Sequence, residues 1–272
     1  MIVIEIFYLN LCPQYLPNTF IVMKKNVFIL ICLLVAAFSS SAYAGKGGKQ
    51  DEKVAYLFTY FNGNAPWQEQ ICYALSDDGY NYTPLNDGKP VITSDTIAFT
   101  QCVRDPHILR CEDGKTFYMV VTDMRSELGW SSNRGMVLLK STDLINWEHH
   151  AINFPTRYTK TWSKVIRVWA PETIYDHKAG KYMVFYSLRT SDSDSYDKIY
   201  YQYANKAFTD LEGEPKWLFD AGNATIDGDI VYNDEKKCFY ADMSAGGSIQ
   251  FYGLCREGWQ TGREGCVPLY LF

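Results

Sequence analysis

The chain has 272 residues, of which 47% are hydrophobic and 16% aromatic, so it can bury a large core and is not expected to be disordered. Its 26 basic and 31 acidic residues give a net charge of −5. An acidic protein is a poor partner for nucleic acid or anionic lipid, so neither partner is expected. The negative net charge is more compatible with a neutral or small polar ligand than with these anionic partners.

The N-terminal 44 residues have the pattern of an export signal. A positively charged start at 23–25 precedes an apolar run at 27–38 and a small-residue cleavage site at 42–44. The apolar run is too short to cross a membrane, so we expect no membrane span after signal removal and a secreted or periplasmic protein. The predicted segments are a spurious leader at 1–22, a signal peptide at 23–44, a polar linker at 45–53 and one folded domain at 54–272.

The folded domain is predicted to repeat a unit of four short antiparallel strands, which is the pattern of a β-propeller blade. Blade two shows the unit best, with predicted strands at 108–110, 117–122 and 136–140 and around Trp147. The other blades begin at Val54, Trp169 and Ile226. The fold class is therefore an all-β propeller.

The repeat is predicted to be incomplete at both ends. Counting back from Tyr56 for the innermost strand of blade one reaches the signal peptide, and the tail at 256–272 loses the pattern. We therefore expect about four blades in a domain that is truncated at its C-terminus.

One position recurs in the innermost strands of three blades, where Asp105, Ala170 and Asp227 align. Side chains two residues apart on a strand share a face. The side chains expected to converge on the propeller axis are those of Asp105, His107, Glu172, Asp227 and Asp229.

Other residues with reactive or aromatic side chains have simpler interpretations. The six cysteines beyond residue 44 lack C-x-x-C spacing, so no zinc site is expected, and buried thiols and disulfides both stay open. The run at 192–197 is predicted to be a solvated loop. Trp130, Trp162 and Trp169 are candidates to stack on sugar rings. The tryptophans at blade ends are expected in the core, and these are Trp147, Trp217 and Trp259.

Four motifs, at 104–106, 141–147, 169–172 and 226–228, resemble glycoside hydrolase family 43. The resemblance covers roughly residues 54–259. It implies a five-bladed propeller that hydrolyses arabinose- or xylose-containing glycans with inversion. Such chemistry needs one protonated carboxyl for the leaving oxygen and one ionised carboxyl to activate water.

The resemblance also implies roles for individual residues. Asp105 matches the catalytic base, Asp227 matches the aspartate that tunes the acid, and Glu172 lies in a segment near the substrate. The family's acid glutamate opens the following blade, which would lie beyond residue 272. With the predicted substrate contacts His107, Trp169 and Asp229, these residues form the predicted site.

A second resemblance, to the sucrose-type hydrolases of family 32, exchanges these roles. There Asp105 would stabilise the transition state and Glu172 would be the acid. The nucleophile should then precede Tyr56, where the folded domain has no aspartate at the required place. Family 43 is the favoured resemblance.

Two functions without catalysis remain as alternatives: a carbohydrate-binding propeller and a scaffold for protein contacts. A scaffold predicts an apolar axis, whereas the axis predicted here is acidic. No cofactor or catalytic metal is expected, with a structural calcium ion on the axis left open. A carbohydrate is the expected partner.

Overall fold

The computed structural model describes Ile4–Glu5 and residues 55–233, 238–245, 248–254 and 266–268. These residues form four sheets, each made of four antiparallel strands that follow one another along the chain. This arrangement confirms the predicted blades. The signal peptide, the linker and Trp259 lie outside the described residues.

In the part of the chain that the structure describes, the blades contain sixteen strands. Blade one contains β1 (Ile4–Glu5), β2 (Tyr56–Tyr60), β3 (Cys72–Ser76) and β4 (Thr83–Pro84). Blade two contains β5 (Val103–Arg110), β6 (Phe117–Asp123), β7 (Gly135–Ser141) and β8 (Glu148–Asn153). Blade three contains β9 (Val165–Asp176), β10 (Lys181–Thr190), β11 (Lys198–Ala204) and β12 (Leu211–Phe219). Blade four contains β13 (Thr225–Asn233), β14 (Cys238–Ala245), β15 (Ser248–Leu254) and β16 (Cys266–Pro268).

Short helices occur only in the connections of the described chain. One turn of α-helix, α1 (Phe154–Arg157), follows β8, and Asn153 caps it by accepting a hydrogen bond from the Thr156 N–H. The 3₁₀ turns are Asn86–Gly88, Ser94–Thr96 and Ser126–Leu128. The described part of the chain contains no helix with the length and hydrophobicity of a membrane span.

Two expectations about the ends of the repeat are wrong. Blade one does not lack its innermost strand, because β1 pairs with Leu57 and Phe58 of β2. The tail does not leave the pattern entirely, because β16 pairs with β15 as the fourth strand of blade four. Both strands are only two or three residues long, so neither has enough residues to show alternation in the sequence.

The central strands of blade two are buried on both faces. All seven residues of β6 are buried, and all but one of β7. Met119 and Val121 face blade one, whereas Tyr118 and Val120 face blade three. A strand that is buried on both faces has apolar residues at successive positions without alternation, which explains the composition of β6 and β7.

Three apolar cores separate the blades. The core between blades one and two includes Leu57, Ile71, Met119 and Leu139. The core between blades two and three includes Leu138, Phe154, Val184, Tyr186 and Phe208. The core between blades three and four includes Met183, Phe185, Ile199, Leu218 and Ile230. Each blade is therefore held mainly by its neighbours.

Two predictions about side-chain surroundings need comment. Trp217 is 38% exposed and lies outside the fully buried core in which it was expected, whereas Trp147 packs partly buried against the core between blades one and two. Cys72, Cys102 and Cys111 are buried free thiols. For these three cysteines the interpretation as small hydrophobic residues is the correct one.

The two faces of the propeller carry different connections. One face carries tight turns, and two of them are built alike. Asp78 accepts a hydrogen bond from the Asn81 backbone at 2.8 Å, and Asp143 accepts one from the Asn146 backbone at 2.7 Å. The other face, called the upper face here, carries the longer loops 61–71, 85–102, 124–134, 154–164, 191–197 and 220–224.

Candidate active site

The innermost strands of blades two, three and four share an irregularity near their upper ends. Asp105, Ala170 and Asp227 have positive φ angles of 51°, 42° and 51°. The strand register shifts at each of them, between Arg104 and His107 in blade two and at matching places in the other blades. The predicted equivalence of the three positions is therefore also a structural one.

Each shift is a β-bulge, which adds one residue to the strand and redirects its side chain. Val103 and Ile108 both pack in the core between blades one and two, although they are an odd number of residues apart. The simple alternation that groups Asp105 with His107 does not hold across the bulge. The contacts of the two residues differ accordingly.

Asp105 is linked to blade three through one hydroxyl group. The Oγ1 of Thr122 donates a hydrogen bond to Asp105 Oδ2 at 2.9 Å and accepts one from the Ala170 N–H at 2.8 Å. Thr122 is fully buried, so its rotamer is set by packing. This link orients the Asp105 carboxylate and holds its oxygen as a hydrogen-bond acceptor.

The two aspartates at the bulges influence each other. Burial raises the pKa of Asp105, while the Thr122 hydrogen bond and the charge of Arg104 lower it in part. Burial also raises the pKa of Asp227, and repulsion from Asp105 raises it further, again opposed by Arg104. The structure thus brings two of the three predicted catalytic carboxyl groups into one electrostatic unit.

Arg104 is held beside this unit by a buried carboxylate. Its Nη1 lies 3.2 Å from Glu69 Oε1 and donates to Asn64 Oδ1 at 2.7 Å. The guanidinium carbon lies 4.5 Å from the centre of the Phe61 ring and 5.3 Å from that of the Trp130 ring. Aromatic faces attract such a cation.

Trp169 packs beside Trp130, the ring that contacts Arg104. Its Nε1 donates a hydrogen bond to Asn133 Oδ1, its ring meets Trp130 edge to face at 6.1 Å, and Arg167 lies 4.3 Å from its centre. Arg167 is in turn paired at 2.9 Å with Asp197. Asp197 is buried, so the expectation of a solvated loop at 192–197 is wrong for this residue.

Glu172 and His107 form a separate buried pair between blades two and three. They are 1% and 4% exposed, and Nε2 of His107 lies 3.9 Å from Oε2 of Glu172. The Thr173 N–H donates to His107 Nδ1 at 3.3 Å, which leaves Nε2 to face the carboxylate. Direct contact of either residue with a substrate therefore stays a prediction.

Asp229, the remaining predicted contact, lies after the bulge of β13. It is half-buried and pairs in register with Asp242 of β14. Within the described residues, no group of three or more metal-ligating side chains is placed to hold an ion. The calcium ion considered for the axis stays an open expectation.

Several residues of this site carry no signal in the sequence. Glu69, Thr122 and Asn133 belong to no motif, and their partners lie far away along the chain: Glu69 binds Arg104 and the Ser126 N–H, 35 and 57 residues on. Only the arrangement of the blades brings them together. Asp197 could have been found only by pairing it with Arg167, which lies 30 residues earlier on β9.

The fold and the site define a β-propeller with paired carboxyl groups at equivalent bulges. A family model described as a probable glycosyl hydrolase domain, related to glycoside hydrolase family 43, matches residues 51–252. This match covers most of the chain, and the protein belongs to that family.

Three relatives illustrate the membership. An alpha-L-arabinofuranosidase from Bifidobacterium longum subsp. longum is 30% identical over 139 residues, covering 49% of this chain and 13% of that protein. An exo-1,5-alpha-L-arabinanase from a bovine ruminal metagenomic library has a TM-score of 0.53 at 15% identity, covering 82% of this chain and 76% of that one. The family 43 protein BlXynB from Bacillus licheniformis also has a TM-score of 0.53 at 15% identity, covering 82% of this chain and 40% of that one.

The structural likenesses concern the fold alone at these identities. The fold is a partial five-bladed β-propeller, with four blades in the described residues. The chain spans 13% of the length of the arabinofuranosidase and 40% of that of BlXynB.

Proposed function

We propose that this protein is a glycosidase that hydrolyses arabinose- or xylose-containing glycans with inversion. The observation that carries the proposal is the Asp105–Asp227 pair, two half-buried and mutually repelling carboxyl groups at equivalent bulges of a family 43 propeller. The arabinofuranosidase and arabinanase named above support the choice of sugars.

In this proposal Asp105 is the general base. Its carboxylate accepts the proton of a water molecule as the water attacks the anomeric carbon, and Thr122 holds the carboxylate in orientation. Asp227 does not act on the water. Repulsion from Asp105 raises the pKa of Asp227, so Asp227 keeps its proton while Asp105 is ionised.

The acid that protonates the leaving oxygen must be a third carboxyl group on the other side of the glycosidic bond. We assign it to the glutamate expected in the blade that follows Asp227. Glu172 is not chosen, because it is buried against His107. Trp169 and Trp130 provide aromatic surface for a sugar ring.

The test compares Asp105→Asn with Asp77→Asn, an exposed aspartate remote from the site. An amide cannot take the proton, so Asp105→Asn should lower kcat on the order of 10²–10⁴-fold on aryl arabinofuranosides and on arabinan, with binding little changed. Asp77→Asn should behave as the unmodified protein. Full activity in Asp105→Asn would show that Asp105 is not the general base. If the unmodified protein binds the glycan but does not hydrolyse it, the alternative of a carbohydrate-binding propeller would be supported instead.

We further propose secretion or periplasmic export with cleavage after Ala44, which would remove β1 and leave β2, β3 and β4 in blade one of the exported protein. The support is the charged start and apolar run that precede a small-residue site. N-terminal sequencing of exported protein should begin at Gly45, and recovery of residues 2–22 would contradict this.

No cofactor is assigned to the reaction, so chelation with EDTA should leave kcat unchanged, while a fall in Tm on chelation would indicate a structural calcium ion.

A further inference from the structure

We propose that Arg104, fixed by Glu69, is a positioning residue that supplies a permanent positive charge beside Asp105 and Asp227. The inference rests on the proposed function of that pair and adds a residue to it. It is carried by the geometry of a buried clamp that joins three segments of the upper face.

The clamp is centred on the Glu69 carboxylate. Glu69 is fully buried, and both of its oxygens accept the Ser126 N–H at 3.1 Å while Oε1 also pairs with Arg104 at 3.2 Å. The Ser126 hydroxyl donates to the Asn64 carbonyl at 2.6 Å. A buried carboxylate is stable only with such partners, so Glu69 and Arg104 are expected to stay together.

Arg104 is fixed in orientation as well as in place. Its plane is contacted by the Phe61 and Trp130 rings, and Nη1 bonds to Asn64 and Glu69. Arg104 directly precedes Asp105 at the start of the bulge. A lysine has no planar guanidinium to lie against the two rings, and its ammonium group would carry the charge at a different place.

The charged groups around Asp105 come from four elements. Its own strand provides Arg104, the β2–β3 loop provides Glu69, and β13 provides Asp227. From β9, which packs on β5, come Arg167, paired with Asp197, and Glu172, beside His107. Arg104 lowers the pKa of both aspartates, and the N-terminal amino group adds to this effect.

Burial and the Arg104 charge have opposite effects on the pKa of Asp105 and Asp227, and the function of Arg104 follows from this opposition. Burial alone would keep Asp105 and Asp227 protonated to higher pH, and a protonated base cannot activate water. Arg104 offsets part of the burial, so that one carboxyl group of the pair is ionised where the enzyme works. Loss of the charge should therefore change the titration of both groups and the acid side of the rate profile together.

The experiment follows the two carboxyl groups directly, by NMR of protein labelled with ¹³C at aspartate carboxyls and assigned with Asp105→Asn and Asp227→Asn. In Arg104→Gln, both titration midpoints should move to higher pH. The matched control is Arg110→Gln, the same change on the same strand at the opposite end, where the guanidinium donates hydrogen bonds to the Gly114 carbonyl of a turn. Its midpoints should match those of the unmodified protein.

Arg104→Lys separates charge from position. The charge remains, so the midpoints should stay closer to those of the unmodified protein than in Arg104→Gln. The fork is lost, so kcat/KM should still fall on the order of 10²-fold, the usual cost of a misplaced group. If Arg104→Gln does not fold, this variant carries the test, and unchanged kcat/KM in Arg104→Lys would overturn the positioning role.

Unchanged midpoints in a folded Arg104→Gln protein would overturn the proposal whatever the activity of the enzyme. Conversely, shifted midpoints in a protein that hydrolyses no glycoside would uphold the role of Arg104 in the field of the pair. That second result would count against the proposed function alone. The two failures are therefore distinguishable.

Discussion

Asp105 and Asp227 are half-buried carboxyl groups that repel each other when both are ionised, so we expect the pair to hold one proton between them. Burial raises the pKa of both, and the repulsion from Asp105 adds to the rise at Asp227. The Thr122 hydroxyl stabilises charge on Asp105 by donating a hydrogen bond to it. We therefore expect Asp105 to lose its proton first, and the pair to titrate as a unit.

This pair should make the protein less stable at neutral pH than it could be. The folded-state pKa of Asp227 is raised, so its contribution to stability is fully present below the unfolded value of about 3.9 and is lost as pH rises through the folded value. Asp227→Asn removes the buried charge. Thermal unfolding should show a higher Tm than the unmodified protein at pH 7 and a difference that shrinks towards pH 3.5, even though activity falls.

Asp78→Asn is the control of opposite sign. The backbone hydrogen bond from Asn81 and further hydrogen bonds hold the pKa of Asp78 well below its usual range. Its contribution is present above the unfolded value and is lost as pH falls. This variant should lower Tm at pH 7, and a rise in Tm there, or no change in Asp227→Asn at any pH, would contradict the electrostatic account.

At the level of single residues, motifs in the sequence find the groups that do chemistry better than the groups that hold them. Asp105 and Asp227 stand next to Pro106 and Gly228, so a local pattern marks them. Glu69 lies in a loop with no pattern and acts through residues 35 and 57 positions away. Such contacts depend on the blade geometry, which local propensities do not contain.

At the level of elements, the three bulges are what place the acidic side chains. A strand of strict alternation would present every second residue to the same side, whereas the added residue lets Asp105 and Asp227 turn away from the interblade cores. Asp tolerates positive φ because its short side chain can bond locally. Ala170 holds the third position without a polar group and is buried.

Ala170 gives a test of the bulge itself. A β-branched residue at a φ of 42° is strained, so Ala170→Val should cost about 1–3 kcal/mol of unfolding free energy, whereas Ala170→Gly should be close to neutral. Urea unfolding measures both. Because the Ala170 N–H binds Thr122, which orients Asp105, the valine variant should also lose activity. Equal stability of the two variants would mean that the bulge can rearrange freely.

The sequence predicts the existence and order of the strands here, but not their edges. β6 and β7 are strongly apolar and were predicted within a residue or so. β5 begins five residues before its predicted start at Ile108, because the bulge interrupts the pattern at Asp105 and Pro106. The turn motifs around Asp78 and Asp143 repeat in sequence and in hydrogen bonding, which is why the blade boundaries could be found.

At the level of the whole molecule, the blades are joined in series by separate cores. Leu138 and Leu139 are neighbours on β7, both fully buried, yet Leu138 packs towards blade three and Leu139 towards blade one. Clusters that share no side chain should contribute to stability nearly independently. A substitution that destabilises one core should then lower the stability mainly of the two blades that share that core, because each blade contacts only its neighbours.

The pair Leu138→Ala and Leu139→Ala tests this serial arrangement with one substitution made on either face of one strand. Each should cost about 2–5 kcal/mol, since each leaves a cavity in a closed core. Hydrogen exchange should separate them: Leu139→Ala should lower protection in β2 and β3, and Leu138→Ala in β9, β10 and β11. If both variants lose protection in the same amides, the blades open as a single cooperative unit. In that case a substitution in one interblade core would destabilise the Asp105–Asp227 site only by unfolding all the blades together. The Glu69–Arg104 clamp would then orient Arg104 but would not be needed to hold blade one against blade two.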